Sequence, residues 1–362
     1  MRVALIHDWL TGLRGGEKVL EGLCELFPDA TLFTMVHVPH STSEVIESHP
    51  IRTAFTQRLP GVRKIYRWYL PLYPWAVESL DLAGFDLIIS SSHCVAKGAN
   101  PPPGALHICY CHTPMRYVWD RFPDYFGNGI KSRLVYGPIA AYLRRWDVAS
   151  ADRVHSFVAN SKHVAGRIQK YYDRKADAVI YPPVDTDVFV PGDREPEDFF
   201  LIVSALVPYK RLDLAIDAFR RRRDRLVIVG TGPEEKRLRE RAPSNVHFQG
   251  SLSRSELLPL YQRCRATLLP GVEDFGIAPV ESQACGRPVV AFAEGGALES
   301  VRDGETGVFF AEKSPEALSD AIDRVSSLRS NRGSLRSWAQ NFSRQRFMTE
   351  MRAFVDRKLA GE

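Results

Sequence analysis

Two carboxylates, Glu273 and Glu281, bracket the stretch Asp274-Phe-Gly-Ile-Ala-Pro-Val280. An apolar run, Ala266-Thr-Leu-Leu-Pro270, precedes it and reads as a buried parallel strand. Gly276 relaxes the backbone, and Pro279 suits the first turn of a helix. That helix runs through Ser282 to Cys285 and stops near Gly286, ahead of a second strand-like run, Pro288-Val-Val-Ala-Phe292. The spacing therefore puts Glu273 in a loop at the carboxyl end of a strand and Glu281 on the first turns of the next helix. In open α/β sheets that rim is where ligands bind. The N–H groups of Phe275, Gly276 and Ile277 suit an anion, while carboxylates accept from hydroxyl groups. A ligand with both features, such as a sugar nucleotide, fits the combination.

The elements that must position this site alternate from end to end. Val3-Ala-Leu-Ile6 reads as a first buried strand, and Gly15-Gly16 opens a helix over 17–27. The two glycines expose N–H groups at a helix start, a natural anion site. Strands follow over 30–36, 85–90, 107–111 and 154–159. The segment 182–197 is rich in Pro and charge and reads as an interdomain linker. A second series then begins, with strands over 200–203, 226–229, 246–248, 266–269 and 288–292 and helices over 213–220 and 234–241. Residues 335–359 read as helical, with Trp338, Phe342, Phe347, Met351 and Phe354 as apolar anchors. The fold class is α/β, with two doubly wound domains. The first covers 1–185 plus the terminal helix about 343–362, and the second covers 198–342.

Composition narrows the class of protein. The chain has 362 residues, enough for two domains with good cores. Its net charge of +5 is compatible with anionic substrates or a membrane surface but points to no nucleic acid. Six scattered cysteines show no disulfide framework. Val3–Ile6 is too short for a secretory signal, and no apolar run approaches a membrane span. The expectation is a cytoplasmic protein.

Further motifs carry a family resemblance. They are Gly15-Gly16, His112-Thr-Pro114, Ala159-Asn-Ser-Lys162, Tyr181-Pro-Pro-Val-Asp185, Val207-Pro-Tyr-Lys-Arg211, Gly230-Thr-Gly-Pro233 and the 273–281 block. In this order and spacing the chain resembles the retaining glycosyltransferases of family 4, over nearly its whole length. His7-Asp8-Trp9, Gly15-Gly-Glu-Lys18 and Tyr110 to Tyr117 look most like bacterial mannosyltransferases of surface-polysaccharide assembly.

The resemblance implies a GT-B fold: two Rossmann-like domains facing across a cleft, with the C-terminal helix crossing back to the first. It implies transfer of a hexose, with GDP-mannose preferred as donor, to a glycan or lipid-linked oligosaccharide, at or near the inner membrane surface. It implies no metal and no other cofactor, because cations replace Mg²⁺. Lys210 and Arg211 become the diphosphate-binding pair, Glu273 faces the hexose and Glu281 accepts from the ribose. Phe275, Gly276 and Ile277 line the sugar and phosphate, Gly232 brings backbone close to the nucleoside, and Leu252 lies beside the base. Gly15 and Gly16 leave room for phosphate or sugar. His112 orients a hydroxyl near the reacting carbon, with a pKa suited to proton exchange near neutrality. Many relatives carry Gly-Arg where this chain has Ser204-Ala205, which leaves the second positive role to Arg211.

The run from Arg63 to Trp75 interleaves cations with aromatics, a pattern that suits either a membrane interface or a helix with a core face. Three alternatives stay open at this stage: a nucleotide-sugar epimerase, a non-catalytic nucleotide-sugar-binding module, and a peripheral membrane protein.

Overall fold

The computed structural model describes residues 1–120, 122, 129–328 and 331–362. They form two units, 1–183 with 345–362, and 184–344.

The first unit is built on strands β1 (Val3–His7), β2 (Thr31–Thr34), β3 (Ile51–Thr53), β4 (Leu87–Ser92), β5 (Leu106–Cys111), β6 (Ser156–Ala159) and β7 (Ala178–Val179). They form one sheet in the order β3-β2-β1-β4-β5-β6-β7, and every pair is parallel. Side chains alternate between faces, so Ala4, Ile6 and Ile88 enter one core while Leu5, Leu87 and Ile89 enter the other. Both faces are covered, which is why the strands read as continuous apolar runs. The second core also takes Phe347, Met351, Phe354 and Val355 of the terminal helix Arg344–Leu359, which repeat at helical spacing.

The second unit has β8 (Phe199–Val203), β9 (Arg225–Val229), β10 (Val246–Gly250), β11 (Thr267–Leu269), β12 (Val289–Phe292) and β13 (Gly307–Phe310). Their order is β10-β9-β8-β11-β12-β13, again all parallel. This is the dinucleotide-fold order, and its direction reverses between β8 and β11. Ligands bind such sheets beyond the carboxyl ends of the strands flanking that reversal. The loops after β8 and β11 carry Lys210, Arg211 and Glu273.

Two sequence expectations need correction. The segment 184–197 is no free linker, because the second unit binds it along its length. The Val184 N–H donates to the Phe342 carbonyl at 3.0 Å, Gln262 donates to the Val190 carbonyl at 2.9 Å, and Phe189 is buried edge-on against Tyr261. The expected helix over 335–359 is two helices, Arg332–Ala339 and Arg344–Leu359, broken at an extended Ser343 that pairs with Val184. Backbone pairing with a distant strand-like segment outweighs the local helical pattern there.

Buried His107 on β5 gives the first unit a pH dependence. Its Nδ1 faces the Arg153 carbonyl at 2.9 Å and so carries the proton, leaving Nε2 to accept from the Ser90 hydroxyl at 2.9 Å. Burial pushes the imidazole from its ordinary 6.5 down to about 4. Between those values the unfolded chain binds the extra proton and the folded chain does not. Stability is therefore highest above about pH 6.5 and falls as acid is added. Urea unfolding from about pH 7 to about pH 4 should show wild type losing up to roughly 3 kcal/mol more than His107→Gln. Parallel pH profiles for the two proteins would contradict this account.

Candidate functional site

In the second unit the structure brings Lys210 and Glu273 together as an ion pair, with both side chains largely buried. Their loops meet because glycine permits it. A Cβ on Gly271 would lie 2.5 Å from the Tyr209 carbonyl oxygen and 2.6 Å from Lys210 Cα. On the other side, a Cβ on Gly296 would lie 2.3 Å from Phe275 Cα, and the Gly296 N–H donates to the Glu273 carbonyl at 2.8 Å. The loop after β11 is thus clamped between the loops after β8 and β12. Gly276, at φ +89°, turns it into the helix Ile277–Ala284.

Arg211 sits beside this pair at φ +53°, a left-handed conformation uncommon for a side-chain-bearing residue. Its Nε and Nη2 donate to Asp213 at 3.1 and 3.2 Å. Ala205 is exposed and adds no cation. Glu281 is buried and accepts from the Tyr261 hydroxyl at 2.8 Å. Burial, then the Glu281 charge, pushes the Tyr261 phenol well above its ordinary value, so it stays a donor. Phe275 is buried with its ring 5.5 Å from Phe342, which leaves its backbone rather than its side chain for the loop surface. The close approach made by Gly232 is to the chain itself, since a Cβ there would lie 2.3 Å from the Leu206 carbonyl oxygen. Leu252 is half-buried just before the helix Arg254–Arg263.

In the first unit, Gly15 and Gly16 begin the helix Gly15–Leu26. His7 ends β1, Ser91 lies opposite it on β4, and His112 follows β5. Ser91 Oγ is 3.1 Å from His7 Nδ1 and 2.8 Å from His112 Nε2. A Cβ on Gly16 would lie 3.5 Å from His7 Cε1 and 3.8 Å from His112 Nε2. Those are ordinary contact distances, so glycine here keeps space open above the two rings. Asp8 is fully buried, and it accepts four backbone N–H groups from His93, Cys94, Val95 and Ala96 as well as an ion pair from His93 at 2.9 Å. Burial opposes its ionisation, but His93 and these N–H groups hold it well below the usual carboxylate range. The expectation of a His112 that exchanges protons near neutrality is corrected. Burial, with His93 and His7 nearby, pushes its imidazole well below the ordinary value, so it is neutral at pH 7.

Two family models match the sequence. A family model described as Glycosyltransferase Family 4 matches residues 13–188, and one described as Glycosyl transferases group 1 matches 184–342. The two matched stretches together span residues 13–342. It is 32% identical over 210 residues to a D-inositol 3-phosphate glycosyltransferase of Thermobifida fusca, covering 49% of this chain and 48% of that protein. It is 35% identical over 211 residues to the protein of the same name from Acidothermus cellulolyticus, covering 49% and 46%. The chain spans about half the length of the curated relatives it matches. Among solved structures it resembles sucrose-phosphate synthase from Thermosynechococcus elongatus, with a TM-score of 0.77, 15% identity and both chains covered in full. It also resembles Anabaena HepE in complex with UDP, with a TM-score of 0.71, 19% identity and full coverage of both. The fold is GT-B.

Several residues of this candidate site escaped the sequence reading. Gly271 and the Gly295-Gly296 pair hold the Glu273 loop, and Ser91 and Glu17 join the histidine cluster. The adjacent glycines after the β12 apolar run were a usable signal, since they close a strand at the ligand-binding rim. Glu17 lay within the Gly15-Gly-Glu-Lys18 motif without a role of its own, and the Ser91 role left no signal because it depends on strand register. The Arg63–Trp75 run divides between core and surface. Tyr66, Leu70 and Tyr73 are core, while Ile65, Trp68 (75% exposed) and Trp75 (59% exposed) face outward with Arg63, Lys64 and Arg67. Among the described residues no helix is long and apolar enough to cross a membrane.

The glycine contacts give a paired prediction. Gly271→Ala forces backbone apart and should destabilise the protein by about 1–3 kcal/mol in chemical denaturation. Gly16→Ala adds a methyl at ordinary contact distance on a helix and should cost no stability. Equal effects of the two would show that the close approach at Gly271 is unimportant.

Proposed function

We propose that the protein is a retaining glycosyltransferase that moves a hexose from a nucleotide diphosphate sugar to an acceptor hydroxyl. The observation that carries this reading is the Lys210–Glu273 pair, clamped at the sheet reversal beside the start of the helix Ile277–Ala284. In the reaction the bond from the anomeric carbon to the diphosphate oxygen breaks, and a bond to the acceptor oxygen forms on the same face. The acceptor proton passes to the departing phosphate oxygen. Negative charge grows on that diphosphate, so positive groups fixed beforehand lower the barrier. An ammonium has three N–H groups, so a carboxylate partner leaves Lys210 donors for phosphate oxygens. Arg211 spends two of its five N–H groups on Asp213 and keeps three. Glu273 orients Lys210 and accepts from the sugar hydroxyls, Glu281 accepts from the ribose, and His112 orients a hydroxyl as a neutral ring. No metal is assigned a role.

The preferred donor is GDP-mannose, on the resemblance of His7-Asp8-Trp9 and Tyr110 to Tyr117 to polysaccharide mannosyltransferases. The preferred acceptor is a lipid-linked oligosaccharide, supported by the exposed Trp68 and Trp75 among cations, which suit an anionic membrane surface. A second acceptor reading, an inositol phosphate, is favoured by the names of the curated relatives.

A thermal-shift panel of GDP, UDP, ADP and their sugars identifies the donor, because a ligand of the folded state raises the melting point by mass action. GDP-mannose should give the largest shift, and a response to UDP compounds alone would overturn that choice. Lys210→Ala and Glu273→Ala should each lower kcat on the order of 100-fold or more. Turnover should persist in EDTA. Flotation with vesicles rich in anionic lipid should carry wild type upward and leave a Trp68→Ser, Trp75→Ser double variant behind. Interconversion of the free donor sugar without acceptor would instead mark an epimerase.

A further inference from the structure

The histidine cluster contains a carboxylate that the proposed reaction does not use. Glu17 is buried in the first turn of the helix Gly15–Leu26. Its Oε2 accepts the Arg14 N–H at 2.9 Å, which fixes the carboxylate, and its Oε1 lies 3.9 Å from His7 Nε2. That nitrogen is fully buried and has no hydrogen-bond partner. The other His7 nitrogen meets Ser91 Oγ, which in turn meets His112 Nε2. Four side chains therefore form one line, Glu17, His7, Ser91 and His112, with each ring linked through a defined atom.

We propose that Glu17 is a positioning residue that sets the tautomer of His112 through His7 and Ser91. With a neutral His7, only one direction of the line places a donor against an acceptor at every step. A carboxylate favours an N–H over a lone pair facing it, so His7 carries its proton on Nε2. Its Nδ1 is then a lone pair and takes the Ser91 hydroxyl proton. Ser91 Oγ must accept from His112, so His112 carries its proton on Nε2 and presents a lone pair at Nδ1. The reverse direction would aim the His7 Nε2 lone pair at the Glu17 carboxylate in a water-poor interior, where like-facing acceptors repel most. Burial opposes Glu17 ionisation, while His7, the backbone N–H and His93 hold its carboxyl pKa below the ordinary value. His93 stays outside the line, because its Nδ1 is taken by Asp8 at 2.9 Å.

The consequence for specificity rests on the glycosyltransferase reading above. With Nδ1 as an acceptor, His112 selects a ligand group that donates, which is a hydroxyl, and rejects a bare phosphate oxygen at that atom. The tautomer itself can be measured without donor, acceptor or turnover. Failure of the two ideas is therefore distinguishable.

The experiment is long-range ¹H–¹⁵N correlation on the full chain labelled at histidine, at neutral pH, with His112 and His7 signals assigned by His→Gln variants. Wild type should show both rings as the Nε2–H form, with the lone-pair signal on Nδ1. Glu17→Gln should shift His112 toward a mixture of forms. In Ser91→Ala the link is cut, so adding Glu17→Gln should produce no further change at His112. A wild-type His112 protonated on Nδ1 would overturn the proposal without any variant having to fold. So would a His112 pattern unchanged in folded Glu17→Gln.

Discussion

The Lys210–Glu273 ion pair exists because three loops approach more closely than any Cβ would allow. Gly271 lets the loop after β11 rest on the backbone of Tyr209 and Lys210. Gly295 and Gly296 let the loop after β12 press on Glu273 to Phe275 from the other side. The pair is largely buried, so each charge depends on the other for compensation. Removing either partner leaves the other uncompensated, which is why the geometry is held by backbone and not by mobile side chains. A site prepared in this way needs little reorganisation on binding a ligand.

The first unit reaches preorganisation by a different route. Its polar groups lie inside the sheet and are satisfied by one another. Asp8 gathers four N–H groups of the turn that follows β4, and that turn holds His93. The register of β1 against β4 sets His7 opposite Ser91, and β5 delivers His112 to the same end. Burial keeps His112 neutral, so its contribution is directional hydrogen bonding and not charge. One unit thus offers fixed charge and the other fixed lone pairs and donors.

Much of this was legible in the residues. The runs Val3–Ile6, 226–229 and 288–292 are apolar without alternation because helices cover both sheet faces, and they became β1, β9 and β12. Strands β3, β7 and β13 went unread. β3 is a short edge strand with two exposed residues, and β7 has two residues at the opposite edge, so neither carries a burial signal. The helix Ile130–Ala149 contains Pro138, which local rules read as a breaker. The 184–197 segment looked like a linker because Pro and charge obscure its backbone pairing with Phe342 and Ser343. The aromatic run at 63–75 held both core and surface residues, and only packing against Trp9 separated Tyr66 and Tyr73 from Trp68.

The order of strands and helices, the rim positions of Lys210, Arg211 and Glu273, and the helix starts at Gly15 and Gly276 all follow from short-range pattern. Periodicity and turn chemistry act over a few residues and are written in the chain. The tertiary structure alone decided which groups meet: Lys210 with Glu273, Tyr261 with Glu281, and His7 with Ser91 and His112. The directly bonded pairs among them are separated by 20 to 84 residues, and they meet only once strand register and glycine-permitted backbone contact are established.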